Sequence, residues 1–114
     1  MTKCVNNIIN MTPHDVVVIC EGKENKIFKS EGSIRLHEKR ELCTTVNEIN
    51  INFTEFQACV TLPLVQRNTF YVVSRAVAEA YPERHDFIFP DEIVRDSSGK
   101  IIGCKSFAVA YRKE

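Results

Sequence analysis

Residues 69–82 read Thr-Phe-Tyr-Val-Val-Ser-Arg-Ala-Val-Ala-Glu-Ala-Tyr-Pro, and the pattern changes at the centre of this stretch. The β-branched and aromatic run 69–73 is typical of a strand. Residues 75–80 are mostly good helix formers, Ser74 is a candidate N-cap, and Pro82 cannot continue a helix. The stretch therefore predicts one strand that leads into one short helix.

The rest of the chain has the patterning of strands. The apolar run 15–20 favours a strand that is central in a sheet or buried on both faces. Alternation with a period of two predicts half-buried strands in 34–37, 49–53 and 56–62. Shorter strands are expected at 5–10, 26–29, 93–96, 100–104 and 107–111, with hairpin turns near Gly22 and Gly99 and with breaks at Pro13, Pro63 and Pro90. We expect a single α+β domain over residues 1–114, mainly antiparallel β-sheet with one short helix.

The charge balance limits the classes of partner that the chain is expected to bind. Fifteen basic and fifteen acidic side chains leave a net charge of zero, so the chain lacks the long-range positive field that binding to a nucleic acid duplex requires. A near-neutral surface favours self-association, and a homo-oligomer is a possible state. No apolar run approaches the roughly 20 residues that span a bilayer, and the first ten residues lack the pattern of a signal peptide. We expect no membrane partner and a location in the cytoplasm.

The cysteines do not form a recognisable framework. They are odd in number and widely spaced, and no two of them form a Cys-x-x-Cys pair. We therefore expect reduced thiols that mostly pack in the core. The five are Cys4, Cys20, Cys43, Cys59 and Cys104.

The sequence contains no pattern that predicts catalysis. His14, His37 and His85 stand alone, without the spacing of metal ligands, and there is no glycine-rich phosphate loop. We expect no metal, no cofactor and no enzymatic activity. Two enzymatic alternatives stay open, a nucleophile pair of Cys104 or Cys20 with His14, and a hydrolase that uses His14 with Asp15.

Three polar clusters are candidate ligand sites, and each has a structural alternative. The first is the loop that contains Asn10, Thr12 and His14, between two predicted strands. It is either a set of binding groups or a turn in which Thr12 and Asp15 satisfy backbone groups.

The second cluster surrounds the predicted helix start, where backbone donors and an arginine favour an anion. Its alternative is Ser74 as a plain N-cap with Arg75 in solvent. The candidate residues are Tyr71, Ser74, Arg75 and Arg84.

The third cluster is Arg95 and Asp96, which precede the predicted terminal hairpin turn. The two side chains either pair with each other or brace the turn. An arginine beside an aromatic ring such as Phe70, Phe87 or Phe107 would instead suit a nucleobase and a phosphate together.

Three phrases of the sequence resemble a group of small bacteriophage and prophage proteins. These are Asn-Met-Thr-Pro-His-Asp at 10–15, Tyr-Val-Val-Ser-Arg with the Ala-Glu-Ala helix at 71–80, and Val-Arg-Asp at 94–96 followed by Ile-Gly-Cys at 102–104. The resemblance covers both ends of the chain and leaves 27–62 unmatched. In context the chain is similar to phage anti-defence sponges, such as the Thoeris anti-defence proteins that capture a cyclic ADP-ribose isomer.

The resemblance implies a protein that sequesters a small nucleotide-derived ligand without cleaving it. Such a protein needs only a preformed pocket with arginines for pyrophosphate and aromatic faces for adenine. The alternative is a non-enzymatic interaction module that binds a host or phage protein through an exposed strand edge.

Overall fold

The computed structural model describes residues 7–113, which form an α+β fold made mostly of strands with a single short helix. The elements in chain order are β1 (Asn7–Asn10), β2 (Val16–Val18), β3 (Lys26–Phe28), β4 (Leu36–Val46), β5 (Ile49–Ala58), β6 (Thr69–Val72), α1 (Arg75–Ala80), β7 (Phe87–Arg95) and β8 (Ile101–Ala108). No helix in this part of the chain is long and apolar enough to cross a membrane.

Six strands form one mixed sheet in the order β1-β6-β7-β8-β2-β3. The pairs β1–β6, β6–β7 and β2–β8 are parallel, whereas β7–β8 and β2–β3 are antiparallel. The two edge strands approach each other, because Asn10 at the end of β1 bridges to Ser30 just after β3. The backbone N–H of Glu31 also donates to the carbonyl of Asn10 at 2.8 Å. The sheet is therefore curled, and its two edges lie against each other at this point.

The predicted strand and helix around Ser74 are confirmed, and they form the centre of the core. β6 and α1 bury Tyr71, Val73 and Val77, which pack against Phe87 of β7. The rings of Tyr71 and Phe87 meet edge to face, with centroids 6.3 Å apart, an arrangement that aromatic pairs favour. A six-residue helix is too short to be stable in isolation. We infer that α1 is held mainly by this packing.

The side chain of Asn10 joins the two edges of the sheet. It is fully buried, at 0% exposure. Its amide nitrogen donates to the carbonyls of His14 and Phe28, each at 2.8 Å, and its Oδ1 accepts the backbone N–H of Thr12 at 3.0 Å. The Thr12 hydroxyl lies 2.6 Å from the same Oδ1. One side chain thus satisfies polar groups of the β1–β2 loop and of β3.

β4 and β5 form a separate two-stranded antiparallel sheet, here called the arm. Its tip is a tight turn in which Asn47 and Glu48 have φ of 50° and 66°, the geometry of a type I′ hairpin. Every residue from 37 to 56 is exposed. The longest dimension of the molecule is 60 Å and its radius of gyration is 17.5 Å, against about 13 Å for a compact chain of this length. The arm therefore projects from the body.

The base of the arm is tied to the core. Leu36 and Ala58 pack against the buried cluster. The backbone N–H of Ala58 donates to the hydroxyl of Tyr81 at 2.9 Å. The root of the arm is consequently fixed in orientation.

Three strand predictions need correction. The half-buried strand expected at 34–37 is the start of β4, which begins at Leu36 and runs to Val46 with almost every residue exposed. Residues 15–20 contain only a three-residue strand, β2, which lies inside the sheet between β8 and β3 but is half-buried, so it is not buried on both faces. Residues 49–62 were expected to hold two strands, but one strand, β5, runs unbroken to Ala58. The phase of alternation slips between Phe53 and Phe56, and the exposed arm has no buried face to enforce a single phase.

The break expected at Pro90 is wrong, because Pro90 lies inside β7. The pairing of β7 with β6 ends at Ile88. On the side of β7 that faced β6, no strand therefore needs a hydrogen bond from the backbone nitrogen of Pro90, and sheets tolerate proline at such a position. The predicted terminal hairpin is confirmed, with β8 continuing to Ala108. Val5 and Asn6 of the expected first strand, and the last residue, Glu114, lie outside the described residues.

We expect Asn10→Ala to lower the free energy of unfolding by about 3 kcal/mol, because it leaves several buried backbone groups without partners. Urea denaturation followed by circular dichroism measures this change. The control is Asn7→Ala, at the exposed start of the same strand, which we expect to change stability by less than about 0.5 kcal/mol. Equal effects of the two substitutions would contradict the role given to Asn10.

Candidate functional site

The predicted site residues lie in separate parts of the molecule. β1 and β6 are parallel, so the loop after Asn10 and the helix start at Ser74 share the end of the sheet where these two strands finish. Phe70 and Arg84 line a groove by the start of β6 and β7. Arg95 and Asp96 belong to the β7–β8 hairpin. The structure therefore does not gather these residues into one pocket.

In the first cluster the side chains of Asn10, Thr12 and Asp15 form hydrogen bonds within the chain, as the structural alternative that the sequence left open requires. Asn10 and Thr12 bond within the loop, as described above, and the Thr12 hydroxyl is also 2.9 Å from the carbonyl oxygen of His14. Asp15 Oδ1 accepts the backbone N–H of Ser30 at 3.1 Å. The exposed imidazole of His14 is the part of this cluster that faces solvent.

At the helix start the contacts again lie within the chain. The Ser74 hydroxyl accepts the backbone N–H of Val77 at 3.2 Å, which is the N-cap interaction. Arg75 lies 3.4 Å from Glu79, one helical turn away, and its guanidinium is 5.5 Å from the ring centroid of Phe89. Tyr71 is buried and donates to the carbonyl of Leu64 at 3.0 Å. These contacts are those of an ordinary helix N-terminus with an exposed arginine, which was the structural alternative for this cluster.

The groove that brings Phe70 and Arg84 together has a volume of about 480 Å³. Arg84 donates from Nε and Nη2 to the two carboxylate oxygens of Asp86, at 2.9 and 2.8 Å. The two side chains are only 13% and 10% exposed. The lining residues are Val65, Asn68, Thr69, Phe70, Glu83, Arg84, His85 and Asp86.

The guanidinium of Arg84 is held in one orientation. Its bond to Asp86 raises the pKa of Arg84, so the positive charge is permanent. The same group lies 4.3 Å from the ring centroid of Phe87, and the neighbouring His85 stacks on Tyr111 at 4.0 Å. Because the carboxylate of Asp86 balances the charge of Arg84, the groove suits a planar group better than a free pyrophosphate.

Arg95 and Asp96 brace the hairpin turn. Asp96 Oδ1 accepts the Ser98 hydroxyl at 2.6 Å and the backbone N–H groups of Ser98 and Lys100 at 2.9 and 3.0 Å. These bonds, that of the Ser98 hydroxyl first, lower the pKa of Asp96. Arg95 donates to the carbonyl of Gly99 at 3.0 Å. Both side chains therefore serve the turn.

The cysteines depart from the expectation that most would be core residues. Cys104 alone is buried among the four that the structure describes, and burial raises the pKa of its thiol, which does not suit a nucleophile. Cys59 is exposed, and its sulfur lies 3.6 Å from Nδ1 of His37 at the base of the arm. Residues 7–113 contain no group of three or more side chains that could hold a metal.

The surface that the sequence reasoning missed is one face of the arm. Opposed residues of an antiparallel pair point to the same side of the sheet. Val46 is opposed to Ile49, and Ile51 and Phe53 follow Ile49 on the same side of β5. Their exposed fractions are 49, 66, 45 and 62%, and these four side chains are called the apolar face. The opposite face of the same segment carries Thr45, Asn50, Asn52 and Thr54, together with one exposed apolar side chain, Leu42. The alternation at 49–53 was the available signal, but it was taken to indicate a buried side.

No protein-family model, curated protein or solved structure matches this chain. The function is therefore proposed from its own geometry. That geometry offers two surfaces, the apolar face of the arm and the groove beside Arg84.

We expect Asp86→Ala to destabilise the protein by about 3 kcal/mol, because it leaves the nearly buried guanidinium of Arg84 without its carboxylate. Chemical denaturation measures the loss. Glu79→Ala removes the carboxylate of the exposed Arg75 pair and should cost less than about 0.5 kcal/mol. A cost for Asp86→Ala as small as that for Glu79→Ala would show that the buried pair does not anchor this region.

Proposed function

We propose that the chain is a non-catalytic protein-interaction module, and that it binds a host or phage protein through the apolar face of its arm. The observation that carries the proposal is that four large apolar side chains share one side of a strand pair whose residues 37–56 are all exposed. A contiguous apolar patch rimmed by polar residues is typical of an interaction surface.

The arm has the features of one side of a protein interface. A two-stranded ribbon is at best marginally stable in water, and it gains stability when a third strand or a packing surface covers its apolar side. Antiparallel sheets with one apolar and one polar face normally bury the apolar one. Here one side carries mostly amides and hydroxyls, with Leu42 as its one apolar residue between Thr45 and Thr54, and the four large apolar side chains on the other side support the interpretation of a binding surface.

The size of the apolar face sets the strength that one arm can supply. Each of the four side chains exposes on the order of 100 Å², so covering all of them removes about 400 Å² of apolar surface from water. That is worth roughly 10 kcal/mol before the costs of association, which are of similar size. One face by itself therefore supports a weak complex.

We expect Val46→Glu to abolish capture of the partner protein and Thr45→Glu to leave it unchanged, because these neighbours point to opposite faces of β4. Proteins retained by the immobilised chain from bacterial lysates, with and without phage infection, would be compared among wild type and the two variants. The captured protein would then be purified and its binding measured by calorimetry. We expect Val46→Glu to raise Kd at least about tenfold. Equal Kd values for both variants would contradict the proposal.

A second candidate function is the sequestration of a small nucleotide-derived ligand of the cyclic ADP-ribose isomer type, without cleavage, in phage anti-defence. The observation that favours it is the groove lined by Phe70, Arg84 and His85, whose volume of about 480 Å³ falls within the usual range for ligand pockets. A rigid guanidinium beside aromatic rings supports recognition of a nucleobase. The anti-defence role itself rests on the resemblance to phage proteins.

For this candidate we expect cyclic ADP-ribose isomers, tested with a panel of cyclic nucleotides, to raise the Tm of the chain, since a ligand that binds only the folded state stabilises it. His85→Ala should remove the shift, and His14→Ala, at an exposed position outside the groove, should retain it. Mass spectrometry after heat denaturation should recover the ligand intact. Altered ligand would indicate an enzyme, and no shift with any compound would contradict sequestration.

A further inference from the structure

The outer edge of β5 presents regularly spaced free backbone groups. At the base of the arm the N–H of Cys59 donates to the carbonyl of Arg35 in the adjacent strand, at 2.8 Å, whereas the N–H of Ala58 points to Tyr81. Backbone groups alternate in direction along a strand, and the bulge in the arm inserts its extra residue into β4. The N–H and C=O groups of Asn50, Asn52, Thr54 and Phe56 therefore point away from β4.

The two edges of the arm differ in how they are protected. β4 carries the charged run Glu38–Glu41 and is interrupted by the bulge near Cys43, and both features discourage the addition of another strand. β5 carries a single charged residue, Glu55, among its ten. In the part of the chain that the structure describes, no strand pairs with the outer edge of β5. This edge is open to strand addition.

We propose that the outer edge of β5 pairs with β5 of a second copy, antiparallel about a two-fold axis, to form a four-stranded sheet. The inference rests on the proposed function of the arm as a protein-interaction element. The axis lies at Ile51, which then faces Ile51 of the second copy, and Ile49 faces Phe53 on either side. Aliphatic and aromatic residues in such cross-strand positions stabilise a sheet.

This register also pairs the free backbone groups of β5 and keeps its one carboxylate from facing its own counterpart. It places Asn50 opposite Asn52, so that backbone groups that are free in a single copy bond to each other. Glu55 lies beyond the start of the neighbouring β5 and does not face its own counterpart, whereas a register centred on Glu55 would oppose two carboxylates. The sequence of β5 thus fits a second copy of itself.

Dimerisation accounts for the small size of the apolar face. Two faces side by side form one surface on the order of 800 Å², which is about what each partner contributes to a standard protein interface. The four-stranded sheet also meets the requirement of at least three strands for independent stability. The dimer therefore provides the surface that a single arm lacks.

The test is analytical ultracentrifugation of the full chain over a range of concentrations, with Asn52→Pro and Arg40→Pro. Asn52 directs its N–H away from β4, so proline removes a donor from the outer edge of β5 without breaking a bond within the arm. By the same alternation Arg40 directs its N–H away from β5, which makes Arg40→Pro the matched change on the other edge.

We expect the wild type and Arg40→Pro to be dimers, and Asn52→Pro to raise the dimer Kd at least about thirtyfold, since symmetry removes two hydrogen bonds, about 2 kcal/mol. A wild type that stays monomeric, an Asn52→Pro variant that dimerises normally, or equal weakening by both prolines would overturn the inference. Circular dichroism melting confirms that each variant keeps the folded body.

The outcomes for dimerisation and for partner binding are separable. Val46 lies on β4, away from the β5 seam, so Val46→Glu tests the face while the dimer persists. A monomeric chain that still binds a protein in a Val46-sensitive manner refutes the dimer alone. A dimer that binds no protein in this manner refutes the proposed function alone.

Discussion

The body of this protein depends on one buried amide. The side chain of Asn10 has two donors and one acceptor oxygen with two lone pairs, and all of this capacity is used by groups of the β1–β2 loop and of β3. Among the described residues, the hydrogen-bond partners of the Asn10 side chain are three backbone groups and the hydroxyl of Thr12. The curled sheet is closed at this point, which fixes where the chain enters β2 and where it leaves β3.

The same constraint explains the Asn-Met-Thr-Pro-His-Asp phrase at 10–15. Asn10 accepts from Thr12, the carbonyl of His14 accepts from Asn10, and Asp15 accepts from Ser30. Pro13 has no N–H that the turn would have to satisfy. These residue types could equally build a ligand site, and only the positions of β3 and Ser30 show that their hydrogen bonds are used internally. That is why the sequence left the two interpretations equal.

Sequence signals succeeded where the deciding interactions are local. The helix is bounded by Ser74 and by Pro82, and the terminal hairpin needs Gly99 with a φ of 87°. Sequence signals failed where the structure depends on what packs against the face of a strand. The turn at Asn47 and Glu48 lacks the glycine that favours a type I′ geometry, and alternation at 49–53 cannot reveal whether the apolar side meets a core or solvent. The arm was missed for that reason.

Body and arm solve the problem of strand edges in opposite ways. In the body, the edges β1 and β3 lie against each other, so little unpaired backbone faces solvent. In the arm, a charged run and a bulge protect the outer edge of β4, whereas the outer edge of β5 in the same hairpin is open. A hairpin with two open edges could add copies on both sides and grow without limit. One closed and one open edge restrict association to a pair, and this restriction makes a two-fold assembly the physically consistent end state of the arm.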